Sequence, residues 1–119
     1  MRLVKADHKR VLNDLFFIPA GKQPDGRTTY DARTFPIEKL ADASSAAKKL
    51  LKGSVTILND KGEQVGLQFS TSAIEFSPDE AAILKELFDG KKEWNVADAD
   101  IVLALKNIFA GKKEKEVEA

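Results

Sequence analysis

The side chains able to do chemistry in this chain are few and widely spaced. His8 is the only histidine and there is no cysteine, which excludes disulfides, thiolate nucleophiles and Cys-ligated zinc. A metal at His8 would need carboxylates brought in from elsewhere in the chain. Its position near the start of a helix, on what reads as the polar face, predicts an ordinary surface histidine. Nucleophilic catalysis by Ser or Thr needs a positioned base and an oxyanion hole. No serine lies in a Gly-x-Ser-x-Gly pattern, and His8 is the one conventional base. Gly21-Lys22, Gly90-Lys91 and Gly111-Lys112 each resemble the end of a phosphate-binding loop. All three lack the earlier glycine and the following Ser or Thr. The acid pairs Asp79/Glu80 and Asp98/Asp100 have the chemistry to bind Mg²⁺ or to act as acid and base. Both fall in the first turn of an expected helix, where carboxylates complement the helix dipole. The sequence therefore predicts no catalytic residue, no metal and no cofactor.

Binding chemistry is better represented. Lys22, Arg27 and Arg33 share one segment with Tyr30, whose ring is able to stack on a base while the cations meet phosphate. Lys5, Lys9, Arg10, Lys48, Lys49 and Lys52 would extend that surface if the first two helices lie side by side. Against a nucleic-acid partner, Asp25 and Asp31 interrupt the cations, and the sequence pI of about 6.6 is low for a dedicated binder. Phe16, Phe17 and Ile18 are consecutive, so one helix cannot bury all three on one side. Trp94 stands between two expected helices. Aromatic residues of this kind serve as interface anchors or close the end of a core.

Charge has a direction that the net value conceals. The chain of 119 residues carries 19 Lys/Arg and 19 Asp/Glu. Residues 1–53 hold eleven of the cations and six of the acids, and residues 54–110 hold five and ten. Such asymmetry between halves bears on partners rather than on fold. With 43% hydrophobic and 32% charged residues, the composition suits one domain of common size with one core. The first residues show no signal-peptide pattern, and strictly apolar runs such as Leu15–Ile18 and Ile101–Leu105 reach only four and five residues, far short of a membrane span. The expectation is a cytoplasmic protein with no membrane partner.

The elements that must position these residues follow from periodicity and stop signals. A first helix is expected from Asp7, as its cap, to Phe17, with Pro19 ending it; Leu3 and Val4 are a possible short strand. Residues 20–35 read as a long loop turning at Pro24-Asp25-Gly26. A second helix follows from Pro36 to Lys52, its stripe formed by Ile37, Leu40, Ala43 or Ala47, Leu50 and Leu51. Ala and Ser fill the middle of that helix and would let another backbone approach closely. Ser54–Leu58 and Gln64–Phe69 form a hairpin closed at Gly62, its Val65, Leu67 and Phe69 expected on the core side. Ala73–Phe76 is a candidate third strand. Ser77-Pro78-Asp79-Glu80 carries the signature of a capping box and opens a helix ending at Asp89-Gly90. A last helix runs from Ala97 to Phe109, and residues 112–119 read as a flexible charged tail.

Residues 73–109, from Ala73-Ile74-Glu75-Phe76 through the capped Leu- and Glu-rich helix and Trp94 to Phe109, resemble the C-terminal part of small phage-encoded proteins of unknown function. The resemblance implies a phage accessory, assembly or host-interaction factor, placed in a host cytoplasm or a virion. The expected fold is α+β in a single domain over residues 1–111: two N-terminal helices, a central antiparallel hairpin or three-stranded sheet, and two C-terminal helices. The expected function is non-enzymatic protein–protein interaction, with another protein or with itself as a homo-oligomer. Lys22, Arg27, Tyr30, Arg33 and Trp94 are the candidate contact residues. A nucleic-acid-associated regulator using the basic segment is the alternative.

Overall fold

The computed structural model describes residues 1–111; the expected tail at 112–119 lies outside them. Among the described residues, four helices and three separate two-stranded antiparallel sheets make an α+β fold. In chain order these are β1 (Arg2–Leu3), α1 (Ala6–Asp14), β2 (Phe17–Lys22), β3 (Thr28–Ala32), α2 (Ile37–Leu51), β4 (Val55–Leu58), β5 (Gln64–Gln68), β6 (Ile74–Glu75), α3 (Pro78–Gly90) and α4 (Ala99–Phe109). A 3₁₀ turn at Val96–Asp98 leads into α4.

The core is helical. Leu12, Leu15 and Phe16 from the first helical segment meet Ala46 and Leu50 of α2, Leu84 and Phe88 of α3, and Leu105 of α4. Leu3, Ile74 and Phe76 seal one side, because β1 pairs with β6 in the register Arg2↔Glu75 and Leu3↔Ile74. The candidate third strand thus exists, but it joins the N-terminus and not the central hairpin. Backbone bonds from Phe76 N–H to the Met1 carbonyl (2.8 Å) and from the Met1 ammonium to the Phe76 carbonyl (3.2 Å) extend that pairing.

The first helix stops three residues before its expected end. Lys5, not Asp7, occupies its N-cap, with no side-chain capping bond. Leu15 and Phe16 close it with tight bonds to the Leu12 and Asn13 carbonyls (3.2 and 3.1 Å). Beyond them Phe17 and Ile18 favour extended backbone, and Pro19 disfavours helix at Ile18. The chain then forms a hairpin where a loop was expected. Pro19 and Gly21, which suggest irregular structure, are tolerated because a two-stranded ribbon has an open edge on each strand. A bulge between Pro19 and Gly21 absorbs the mismatch. The turn itself forms at the expected residues: Gly26 has φ +86°, Gly26 N–H bonds the Gln23 carbonyl at 2.9 Å, and Asp25 Oδ1 accepts from Arg27 N–H at 3.0 Å.

Helix α3 starts as its sequence demands. Ser77 Oγ accepts from Glu80 N–H at 3.1 Å, and Glu80 Oε1 accepts from Ser77 N–H at 2.7 Å. Helix α2 begins one residue later than expected, with Pro36 at its N-cap.

Candidate interaction surfaces

Four of the five candidate contact residues lie on the β2–β3 hairpin or its exit. The register Pro19↔Tyr30, Lys22↔Thr28 and Phe17↔Ala32 puts Phe17, Pro19, Lys22 and Tyr30 on one face, since facing residues share a side and alternate residues return to it. Tyr30 is 61% exposed. Ile18 and Asp31 occupy the other face, and both strands are exposed over nearly their whole length. The two arginines have local partners. Arg27 Nε lies 3.4 Å from Asp25 Oδ2, and Arg33 Nε donates to the Leu15 carbonyl at 2.6 Å, which ties the hairpin exit to the end of α1.

The fifth residue, Trp94, is placed elsewhere. It packs against Phe88 with ring centroids 5.1 Å apart, and Phe88 in turn meets Phe109 at 5.2 Å. Lys91 Nζ sits 4.6 Å above the indole. Trp94 is half-buried and closes the α3–α4 end of the core.

The cations of α1 and α2 are largely committed within the chain. Arg10 reaches Asp98 at 3.0 Å, Asp14 at 3.9 Å and Asp7 at 4.0 Å. Lys49 Nζ donates to Glu80 Oε1 at 2.7 Å and to the Glu75 carbonyl at 3.0 Å. Glu80 also accepts from Ser45 Oγ. Burial alone would push the Glu80 carboxyl up, but the bonds from Lys49, Ser45 and Ser77 outweigh it and hold the group at about 2. This node clamps α2 to the start of α3, so Glu80 is a structural carboxylate.

The β4–β5 hairpin forms where expected, but its apolar face is not buried. Its register is Val55↔Gln68, Thr56↔Leu67 and Ile57↔Gly66, with a bulge before Leu58. The turn closes as expected, with Gly62 at φ +77° and Asn59 Oδ1 accepting from Lys61 and Glu63 N–H groups. The supposed core side is not in the core: Val65 is 61% exposed, and Leu67 and Phe69 are only half-buried. Those two border a depression of about 370 Å³ beside Arg10, Asn13 and Asp14 of α1. Val55 and Ile57 are exposed on one face, Leu58 and Val65 on the other.

The base of this hairpin is held by Lys9, a residue expected on a basic surface. Lys9 is fully buried at 0% exposure. Its ammonium donates to the carbonyls of Ser70 (2.7 Å) and Ser72 (2.6 Å) and to Ser70 Oγ (3.3 Å), and desolvation lowers its pKa. Ser70 Oγ donates to the Lys52 carbonyl at 3.1 Å, stitching the two ends of the hairpin together.

Comparison with protein-family models, curated proteins and solved structures finds no match.

His8, expected at the surface, is buried as well. A signal for both residues was available. His8 precedes Val11, Leu12 and Leu15 by three, four and seven residues, and Lys9 precedes Leu12 and Phe16 by three and seven. Polar residue type hid a position that the helical period placed inside. Among the described residues, no group of three or more His, Cys, Asp or Glu is placed to hold a metal ion. No helix among them is long and apolar enough to cross a membrane.

Proposed function

We propose that the chain is a non-enzymatic protein–protein interaction protein that binds through its hairpins, as an assembly, accessory or regulatory factor. The supporting observation is the β4–β5 hairpin, which exposes Val55 and Ile57 on one face and Leu58 and Val65 on the other. A two-stranded hairpin is marginal in water without a surface to pack on, and a cluster of exposed apolar side chains marks an interaction site. The open edges of both strands also offer main-chain donors and acceptors to an added strand. On the second hairpin, Phe17, Pro19 and Tyr30 supply a smaller aromatic patch with Lys22 at its margin. A phage accessory role is the narrower form of this proposal, carried by the resemblance of residues 73–109.

The test is capture from the native lysate by the full chain and by an I57D/V65D variant. We expect the wild type to retain a partner that the variant loses, with both proteins equally folded by circular dichroism. Identical recoveries from both would overturn the reading.

Nucleic-acid binding is the second reading, favoured by Lys22 and Tyr30 sharing one hairpin face. It requires an electrophoretic shift at low salt that weakens steeply as salt rises. Absence of any shift with RNA or single-stranded DNA ends it.

A further inference from the structure

We propose that the exposed face of α2 joins two copies of the chain as an antiparallel, two-fold helix pair centred on Ser44. The opposite face of α2, with Ala43, Ala46 and Leu50, lies in the core. The outward face carries Ile37 at 82% exposure, Leu40 at 50%, Ser44, Lys48 and Leu51. An open depression of about 760 Å³ runs along its C-terminal two-thirds. A single helix of a globular domain needs only one apolar stripe. This one has a second.

The second stripe is its own complement. Ile37 and Leu51 each lie seven residues from Ser44, and Leu40 and Lys48 each lie four. A two-fold axis through Ser44 therefore sets Ile37 against Leu51 of the second copy. It also lays the aliphatic stem of Lys48 across Leu40 of that copy. An isologous contact requires this kind of pattern, in which one patch matches itself after rotation.

Charge selects the same occupant. Glu38 stands in the first turn of α2 and Lys52 directly follows its last residue. Glu38, Lys48 and Lys52 make no ion pair among the described residues. In the antiparallel pair Lys52 comes level, within a turn, with Glu38 of the other copy, and symmetry repeats the contact. A wholly acidic partner would satisfy the lysine end of the helix and oppose the glutamate end. A second copy satisfies both, and opposed helix dipoles add to the match. The net charge of zero leaves no overall repulsion between copies. The pair forms whether or not the hairpins bind another protein.

The chain has no cysteine, so S44C introduces a single thiol at the dyad, and V96C places one at an exposed position (87%) outside α2. Under mild oxidation S44C is expected to form a disulfide dimer much faster than V96C. In sedimentation equilibrium the wild type should show a monomer–dimer equilibrium. K52E should weaken it about tenfold through two symmetric contacts, and L51E by about a hundredfold or more. The charge swap E38K/K52E should recover most of the K52E loss, a rescue that a merely structural role for Lys52 would not give. Circular dichroism confirms folding of each variant. A wild type that stays monomeric up to about 1 mM overturns the proposal. A dimer in which S44C crosslinks no faster than V96C overturns it equally, as does a charge swap no better than K52E alone.

Discussion

The helical body and the β4–β5 hairpin use the same kinds of residue to opposite ends. In the body, Leu12, Leu50, Leu84 and Leu105 are wholly buried, and two of the polar side chains drawn in among them, Lys9 and Glu80, each make three hydrogen bonds. In the hairpin, Val55, Ile57, Leu58 and Val65 meet no core and remain exposed. Four helices already fill the interior. A ribbon added to them has nothing left to cover, so its apolar residues are surplus to the fold. Alternation in a strand reports a two-sided element, while burial depends on whether the rest of the chain still has an apolar face to offer.

Substitutions in the two regions should differ accordingly. The largest effect is expected at the centre of the body. Leu84→Ala should cost about 3–5 kcal/mol in urea unfolding, the transfer of the side chain plus the cavity left behind. Loss of a few tenths only would mean that the body is loosely packed and the contrast with the hairpin is false.

Acid should act next, and through the body alone. Glu80 titrates near 2 in the fold against an ordinary value of 4.5. Its contribution is thus fully present above pH 4.5 and is lost as pH falls through 2. The shift corresponds to about 3 kcal/mol. Thermal melts of wild type and Glu80→Gln between pH 7 and pH 2 check this. The variant should start less stable and lose less over the acid window.

Lys9 joins the two regions and should give an intermediate result. Lys9→Ala leaves the Ser70 and Ser72 carbonyls without their donor and should cost about 2 kcal/mol. Amide exchange in β4 and β5 should accelerate more than in α3, because the ammonium holds the hairpin base. Equal acceleration everywhere would place Lys9 in the general stability of the core. At the tip of the contrast, Val65→Thr should change stability by less than about 0.5 kcal/mol. A larger loss would show that the hairpin face is packed in solution.

Local chemistry made some of this legible in advance. Ser77 to Glu80 specify a helix start through bonds spanning three residues, and Asn59 to Gly62 specify a turn in the same way. Such elements need no information from elsewhere. The β2–β3 hairpin is not legible in the sequence, because Pro19 and Gly21 are breakers within a sheet but are tolerated at an open edge. Of the candidate contact residues, the four around the first turn do lie together, since sequence proximity placed them there. Trp94 joined Phe88 and Phe109 instead, a grouping that depends on how α3 and α4 fold back on one another.

The start of α3, the two tight turns and the absence of any thiol follow from the sequence alone, because each rests on bonding between near neighbours or on composition. Which apolar stripes are used is settled by the packing of one element on another. Burial is a property of pairs of surfaces, so one face of α2 found α1 and α3 while the other, with Ile37, Leu40 and Leu51, found none among the described residues. The same pairing sent Lys9 inward to the Ser70 and Ser72 carbonyls and left Val65 outside, reversing what each residue's type implied.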